Sequence, residues 1–421
     1  MLRYLGGVFI LGAGLILGLV LVDRGSAPAS RSYERICSLV ESKIYLEPRE
    51  TASWSHRCRV TAQQLSSSVS KEDFLRVMND LFGELAVSHL EIYPPQEVLR
   101  LWQGMNRETG IESQFVDGAL VIFRVHRGSP AHRVGLKPGD VILAVQGQPS
   151  APVVARTIGG EIRIQRQKKI FEVNIEPEEI LIDENPSFTR VNDQTLLLRV
   201  PSLRSEFFSS AKWDHLIESL PRTSSIVVDL RGNSGGNFVA GLRMLAPFMC
   251  EAQDIGFLLK PRSKLQNEAV MPDDLQDETQ LRVLDAHDLL RLRTPSASRC
   301  LTARVAVLTD SGTASTAEMV TQALKDYVDA RVMGVSTAGQ LLVGVWYDLP
   351  ELGEGWRISI PEAVYQSKRG KRLEGAGIRV DRELYYDLNQ LMAGRDSWVA
   401  QAVTDLRREP SHQDSRSSVS K

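Results

Sequence analysis

Hydrophobic positions recur at helical spacing in the first part of the chain, from residue 31 to residue 86. The clearest helix begins after Ser70, because a serine there, followed by Asp73, is suited to cap a helix. We expect this helix to end near Val87, and a short strand over 90–93 to stop at the following pair of prolines. The apolar positions of the helix are Phe74, Met78, Leu81, Phe82 and Leu85.

The pattern changes to short alternating strands between about residues 110 and 178. Two of these strands are predicted over 119–123 and 140–145, and they are separated by turns rich in glycine and proline. A short helix is expected to close at Gly135, and Pro138-Gly139 to form a tight turn into the second strand. This stretch predicts a small β domain.

From residue 185 to about 391 strands alternate with helices, which predicts an α/β domain. The strands at 195–200 and 226–230 are almost wholly apolar, as in a sheet covered on both faces. We expect 260–299, which is charged, to be an irregular surface excursion that could cap a site, and the Ser-rich tail 408–421 to be disordered. Helices are predicted over 211–220, 238–246 and 316–327.

Composition and charge narrow the functional classes. The chain has 421 residues with 43% hydrophobic and 24% charged content, which is ordinary for a globular protein of two or three domains. The formal net charge is -2 and the basic residues are scattered, so we expect no nucleic-acid partner.

The N-terminus predicts export. A positive start at Arg3 precedes an apolar run from Leu5 to Val22, and small residues follow it, so residues 1–29 are typical of a signal peptide. The run is also just long enough to remain as an uncleaved membrane anchor, and the sequence leaves both possibilities open.

Four cysteines are compatible with export, since an even number permits disulfides in any of three pairings. We expect the two in the N-terminal segment to pair with each other, and the two that flank the charged excursion to do the same. No cysteine or histidine cluster has metal-ligand spacing, so neither a metal nor another cofactor is expected. The expected pairs are Cys37 with Cys58 and Cys250 with Cys300.

Two motifs in the α/β domain carry the candidate chemistry. In residues 228–236 a buried strand enters a glycine-rich loop, VDLRGNSGG, whose N–H groups suit an anion, but it lacks the Gly-Lys-Ser/Thr of a P-loop. In residues 305–318 a second strand enters the turn SGTAS and a helix begins after Ser315. A hydroxyl there would gain from the helix dipole as a nucleophile, although a serine at that position is often only a cap.

Together the two motifs, DLRGNxGG and GTASxxE, closely resemble those of the carboxyl-terminal processing proteases and the tricorn core. The stretch SPAHRVGLKPGDVI, from Ser129, resembles a PDZ domain of the bacterial protease type. The resemblance implies a spiral ββα core of the crotonase/ClpP-like type at 181–407. It also implies a helical segment at 30–109 that contributes to the core, and an inserted PDZ β-domain at 110–180.

The same resemblance implies roles for individual residues. Ser315 corresponds to the family's nucleophile. The oxyanion hole corresponds to the Gly235-Gly236 loop, with Gly236 as the first choice, and to the backbone N–H of Thr316. Such donors usually make the largest single contribution to transition-state stabilisation in acyl transfer.

The candidate base departs from the better-known branch, which carries a lysine and, four residues later, a glutamine. Gln340 and Gly344 stand at these positions, and an amide cannot act as a base near neutral pH. The stretch GELAVSH, ending at His89, resembles instead the tricorn-type branch, in which histidine is the base and the preceding serine, here Ser88, assists. The loop LEGAGIRVD resembles the family's C-terminal motif and offers Glu374 as the orienting carboxylate.

The sequence therefore predicts an exported serine endopeptidase of the processing type that forms an acyl-enzyme at Ser315, with polypeptide substrates or peptide C-termini bound through the PDZ domain. In a Gram-negative cell this protein would be periplasmic, soluble or tethered to the inner membrane. Gln340 keeps open an inactive relative that binds peptides as an adaptor. A third alternative keeps the serine chemistry but acts on small esters or short peptides.

Overall fold

A computed structural model describes residues 29–65, 69–261 and 267–408. All but the last residue of the predicted signal or anchor lies outside these residues, and within them no helix is sufficiently long and apolar to span a bilayer. The first elements are α1 (Ala29–Lys43), α2 (Pro48–Gln64), α3 (Lys71–Gly83), β1 (Glu91–Tyr93) and α4 (Pro95–Gln103).

Helix α3 begins as predicted, because the Ser70 side chain accepts a hydrogen bond from the Asp73 N–H at 3.0 Å. It ends at Gly83, however, four residues before the predicted end. The backbone turns away there, since Ala86 and His89 have φ values of 51° and 62° that no helix continues. Helix α4 was not predicted: the proline pair that stops β1 also starts a helix, with Pro95 at its first position.

The N-terminal helices form one hydrophobic core with a later strand. A disulfide between Cys37 and Cys58 links α1 to α2. The large buried side chains of this core are Trp54, Phe74, Met78, Phe82, Ile358 and Ile360. The two isoleucines belong to a strand of the α/β domain, so the N-terminal helices pack against that domain.

The β domain consists of a five-stranded antiparallel sheet with strand order β3-β4-β5-β6-β7. Strands β2 and β8, by which the chain enters and leaves, pair with each other. The elements are β2 (Met105–Glu108), β3 (Ile111–Val116), β4 (Ala119–Val125), α5 (Pro130–Arg133), β5 (Val141–Val145), α6 (Pro152–Thr157), β6 (Gly160–Arg166), β7 (Lys169–Ile175) and β8 (Glu178–Leu181).

The remaining chain forms the α/β region around two six-stranded sheets. Its first half contains β9 (Ser187–Asn192), β10 (Thr195–Arg199), α7 (Trp213–Ser219), β11 (Ser225–Asp229), α8 (Phe238–Met249), β12 (Asp254–Leu259), β13 (Glu268–Val270), α9 (Asp277–Ala286) and β14 (Leu289–Arg293). Its second half contains β15 (Arg304–Thr309), α10 (Thr316–Val328), β16 (Arg331–Gly334), β17 (Leu342–Asp348), β18 (Arg357–Ser367), β19 (Arg382–Glu383), α11 (Leu388–Met392) and α12 (Ser397–Arg408).

One sheet has the order β19-β16-β15-β11-β10-β9 and is parallel except for the β9–β10 pair. The other has the order β1-β18-β12-β14-β13, with β17 also beside β18. Every residue of β11 is buried, as expected for a strand covered on both faces. The predicted α/β class is therefore confirmed.

The prediction for 260–299 was wrong, because the excursion contains a helix and a central strand. Leu290 and Leu292 of β14 are fully buried at 0% exposure. The alternating arginines of β14 made the segment look like surface, but Arg291 and Arg293 both pair with Asp254 of β12. A disulfide between Cys250 and Cys300 closes the excursion at its base.

The C-terminal boundary also differs slightly from the prediction. Helix α12 includes Arg408, the first residue of the tail expected to be disordered. Residues 409–421 lie outside the described part of the chain.

The parallel strands β11 and β15 are neighbours and end at the same edge of their sheet. Each is followed by a loop and then a helix, α8 or α10, so the two sequence motifs meet at the carboxyl edge of the sheet. Ligands of open α/β sheets bind characteristically at this edge.

Candidate active site

Ser315 lies at the turn between β15 and α10 in an unusual backbone conformation, with φ 54° and ψ -128°. For a residue other than glycine such a conformation costs on the order of 1–3 kcal/mol, and strain of this kind clusters at functional sites. Its N–H donates to the Gln340 carbonyl at 3.0 Å and to the Glu318 carboxylate at 3.1 Å. The residue is half-buried.

Glu318 fixes this turn, a role that the motif reading did not assign to it. The residue is fully buried, and its carboxylate accepts hydrogen bonds from four donors. Burial raises its pKa, while hydrogen bonds from Thr337 and from backbone groups act in the opposite direction. The donors are the Thr337 hydroxyl at 2.5 Å and the N–H groups of Gly339, Gln340 and Ser315 at 2.8, 2.9 and 3.1 Å. The sequence signal that could have predicted this role is the spacing Ser-x-x-Glu at the start of a helix.

The glycine-rich loop after β11 packs directly against Ser315. A β-carbon on Gly235 would lie 2.7 Å from the Ser315 β-carbon, and one on Gly236 would lie 2.5 Å from the Leu203 carbonyl oxygen. Both glycines also have positive φ, 102° and 141°, so no other residue fits the loop without strain. The loop is fixed from inside by Asn233, whose side chain accepts the Gly235 N–H at 2.8 Å.

Two backbone N–H groups are available in the segments that adjoin Ser315. Among the hydrogen bonds of the described residues, the N–H groups of Gly236 and Thr316 have no protein acceptor. The Thr316 hydroxyl donates to the Gly236 carbonyl at 2.8 Å, which ties the two segments together. This arrangement is suited to bind an oxyanion.

A second group of side chains forms a hydrogen-bonded chain from His89 through Ser88 to Glu374. The Ser88 hydroxyl lies 2.8 Å from His89 Nδ1 and 2.9 Å from Glu374 Oε2. The Ser88 N–H donates to the other carboxylate oxygen at 2.9 Å, and the Leu341 N–H donates to Oε2 at 2.8 Å. Ser88 and Glu374 are 286 residues apart in the sequence, so only the fold brings them together.

The hydrogen-bond directions determine the tautomer of His89. The Ser88 hydroxyl has one proton, and it donates this proton to Glu374. Its oxygen therefore accepts from Nδ1–H of His89, which leaves the lone pair on Nε2. Burial lowers the pKa of His89 to about 4, so the ring is neutral at neutral pH. A neutral imidazole with a free Nε2 can accept a proton.

The serine and the histidine groups meet at the start of β17. The Gln340 carbonyl accepts from the Ser315 N–H, and the next residue, Leu341, donates to Glu374. In this structure no hydrogen bond joins the Ser315 hydroxyl to His89 within the described residues, as is common for catalytic pairs in the absence of substrate. The Gln340 side chain is exposed, and only its backbone takes part in these contacts.

Another histidine lies away from this cleft. His126 pairs with Glu112 inside the β domain, at 2.7 Å. Among the described residues, no group of three or more histidine, cysteine or acidic side chains is placed to hold a metal ion.

Comparison with known proteins finds relatives for two segments of the chain. Residues 194–384 match the model of Peptidase family S41, and residues 121–159 match that of a PDZ domain. The chain is 24% identical over 297 residues to a "Probable CtpA-like serine protease" of Staphylococcus aureus (strain N315), a match that covers 66% of this chain and 54% of that protein. The chain thus spans about half the length of the curated relatives that it matches.

Solved structures share the fold. The photosystem II D1 C-terminal processing protease superposes with a TM-score of 0.53 at 17% identity, over 87% of this chain and 97% of that one. The tricorn protease superposes with a TM-score of 0.51 at 15% identity, over 90% of this chain and 37% of that one.

The fold and the cleft thus define an α/β protein with a serine at a helix N-terminus and an inserted β domain. Its α/β region matches Peptidase family S41 over residues 194–384 and its β domain matches a PDZ domain over residues 121–159, so the chain resembles PDZ-containing peptidases of that family.

Proposed function

We propose that this protein is a serine peptidase in which Ser315 is the nucleophile and His89 the general base. The observation that carries the proposal is the convergence of the strained Ser315 turn with the His89–Ser88–Glu374 chain at the start of β17. Relatives named as serine proteases support the reaction class.

In the proposed mechanism, His89 Nε2 takes the Ser315 hydroxyl proton while the oxygen attacks the carbonyl carbon of a peptide bond. The N–H groups of Gly236 and Thr316 bind the resulting oxyanion, with Gly235 holding the loop against Ser315. The C–N bond then breaks, and His89 gives its proton to the departing amine. Water attacks the acyl ester with His89 again as base, which releases the carboxylate and regenerates Ser315. This sequence of steps requires no cofactor.

Ser88 and Glu374 act on this reaction through His89. Glu374 orients the Ser88 hydroxyl, and the hydroxyl in turn holds the imidazole with its proton on Nδ1. As the imidazolium forms, the negative charge of Glu374 stabilises it through the hydroxyl.

We infer the substrate class from the domain order. We propose that residues 110–180 form a PDZ unit that binds extended polypeptides or their C-termini by strand addition. The cleft lies in a core formed by residues 181–407 together with the helical segment 30–109. Residues 1–29 would direct export, which places the activity in the periplasm of a Gram-negative cell, either free or tethered to the inner membrane.

The test is covalent labelling of the purified protein with a fluorophosphonate probe, alongside digestion of denatured casein. We expect labelling of the native protein, loss with Ser315→Ala, and a fall of at least about 100-fold in labelling rate with His89→Ala. Gln340→Ala is the matched control and should label as well as the native protein, since that side chain is exposed.

If the native protein neither labels nor cleaves casein, with or without an added PDZ-binding peptide, the adaptor is the better interpretation. Cleavage of short esters without cleavage of casein would favour the small-substrate alternative.

A further inference from the structure

Gly344 in strand β17 is a glycine whose backbone does not require one. It lies in the strand interior, and its φ is outside the positive range that favours glycine. A β-carbon at this position would lie 2.6 Å from the Ser359 hydroxyl oxygen. It would also lie 3.1 Å from the His89 β-carbon and 3.2 Å from His89 Cδ2. The glycine is therefore explained by space, and His89 takes part of that space.

The strand register shows why His89 crosses β17 at this point. Val343 pairs with Ala363 of β18 while Gly344 pairs with Pro361, so a β-bulge lies between them. On the opposite edge of β18, Ser359 pairs with Glu91, two residues after His89. Bulges commonly lie beside active sites, where they redirect a strand.

We propose that Gly344 is the positioning residue for the His89 imidazole, because the space left by its missing side chain, here called the seat, receives the ring. The inference rests on the proposed function. A side chain at position 344 would enter the volume that His89 fills.

The seat acts together with Ser88. The Ser88 hydroxyl holds the ring at Nδ1, and Gly344 lies against the ring at Cδ2, beside Nε2. Once the Ser359 hydroxyl is removed, a methyl group at position 344 requires His89 to shift by a few tenths of an ångström. Displacement on this scale is enough to misalign a proton transfer, because catalytic geometry tolerates little error.

The test separates the two contacts of the missing β-carbon. Ser359→Ala removes the hydroxyl that a methyl would meet first, so the remaining tight contacts are with His89. Comparing Ser359→Ala with Ser359→Ala/Gly344→Ala therefore isolates the seat. We expect the double variant to label with fluorophosphonate about tenfold more slowly than Ser359→Ala, with an unfolding temperature within a few degrees of it. Gly83→Ala is the control, since its added methyl meets nothing within 4 Å.

A second measurement does not depend on activity. NMR titration of the His89 ring should give a pKa of about 4 in Ser359→Ala and a pKa nearer the ordinary 6.5 in the double variant, because a displaced ring regains water. Equal labelling rates together with equal His89 titrations would overturn the proposal. If the native protein does not label but the titration moves, the proposed function fails and the seat stands.

Should the double variant be poorly folded, His89→Gly provides the decisive background. With the imidazole and its β-carbon removed, Gly344→Ala should lower the unfolding temperature less than it does when His89 is present. An equal loss in both backgrounds would show that His89 is not what limits position 344, which also overturns the proposal.

Discussion

Two glutamates, Glu318 and Glu374, hold the two halves of the cleft, and they do so by different means. Glu318 is fully buried and accepts three backbone N–H groups and one hydroxyl. Glu374 is half-buried and accepts two backbone N–H groups and the Ser88 hydroxyl. The first fixes the turn of Ser315, the proposed nucleophile, and the second fixes Ser88 beside His89, the proposed base.

The two halves of the cleft are built from different parts of the chain. The Ser315 half depends on the buried Glu318 carboxylate and on backbone groups of the stretch from Ser315 to Gln340, so its geometry is part of the fold. The base half joins segments 286 residues apart through two hydrogen bonds of Ser88, one from its hydroxyl and one from its N–H. Substitutions in the first half should therefore cost both stability and activity, while substitutions in the second should cost mainly activity.

The largest effect is expected for Glu318→Ala. It leaves four donors without their acceptor in a buried site, at about 1–3 kcal/mol for each that water cannot reach. We expect the free energy of unfolding to fall by about 3 kcal/mol or more, and fluorophosphonate labelling to be lost. Thermal unfolding and labelling measured on one preparation check both parts. If Glu318→Ala unfolded at the same temperature as the native protein, the four hydrogen bonds would not be what holds the turn.

The contacts of Glu318 also illustrate which part of the site the sequence does not predict. Local signals predicted the strand-to-helix turns, and the family resemblance then assigned roles to Ser315 and the glycine loop. The convergence at Glu318 of Thr337 and the loop after it could not be predicted, since it depends on how two loops meet. Strand β14 was missed for a related reason: its arginines are satisfied by a neighbouring strand, which local patterns do not show.

Glu374→Gln tests the base half by itself. The amide keeps the shape, but its NH₂ group cannot accept from Ser88 or Leu341, and the negative charge is lost. We expect labelling to slow by about 100-fold while the unfolding temperature changes by only a few degrees. The matched control is Glu354→Gln, an exposed glutamate, which should change neither. A loss of stability as large as that of Glu318→Ala would remove the contrast between the halves.

Ser88→Ala removes the hydroxyl but keeps both the base and the carboxylate. His89 then loses its Nδ1 partner and can adopt either tautomer, of which only one leaves Nε2 free. We expect about a tenfold fall in labelling rate, smaller than that of Glu374→Gln, because a water molecule can enter the vacated position. Ser88→Thr, which restores a hydroxyl, should recover part of the rate. Unchanged labelling of Ser88→Ala would mean that Glu374 acts on His89 by another route.

The smallest effect is expected for a change of pH, and it sharpens the comparison because it reports on His89 alone. Burial lowers the pKa of His89 to about 4, and Glu374 faces the ring only through Ser88. The base therefore stays neutral in mild acid, so kcat/KM should fall less than twofold between pH 7.5 and pH 5.5. If the pKa of His89 had the ordinary value of about 6.5, kcat/KM would fall about tenfold over the same range.

The same pKa also affects stability. Because the unfolded chain binds the His89 proton more readily, His89 stabilises the folded state fully above pH 6.5, and this stabilisation is lost as the pH falls towards 4. A tenfold fall in kcat/KM by pH 5.5, with thermal unfolding unchanged, would show that the working imidazole is exposed to water and is not held as this structure holds it.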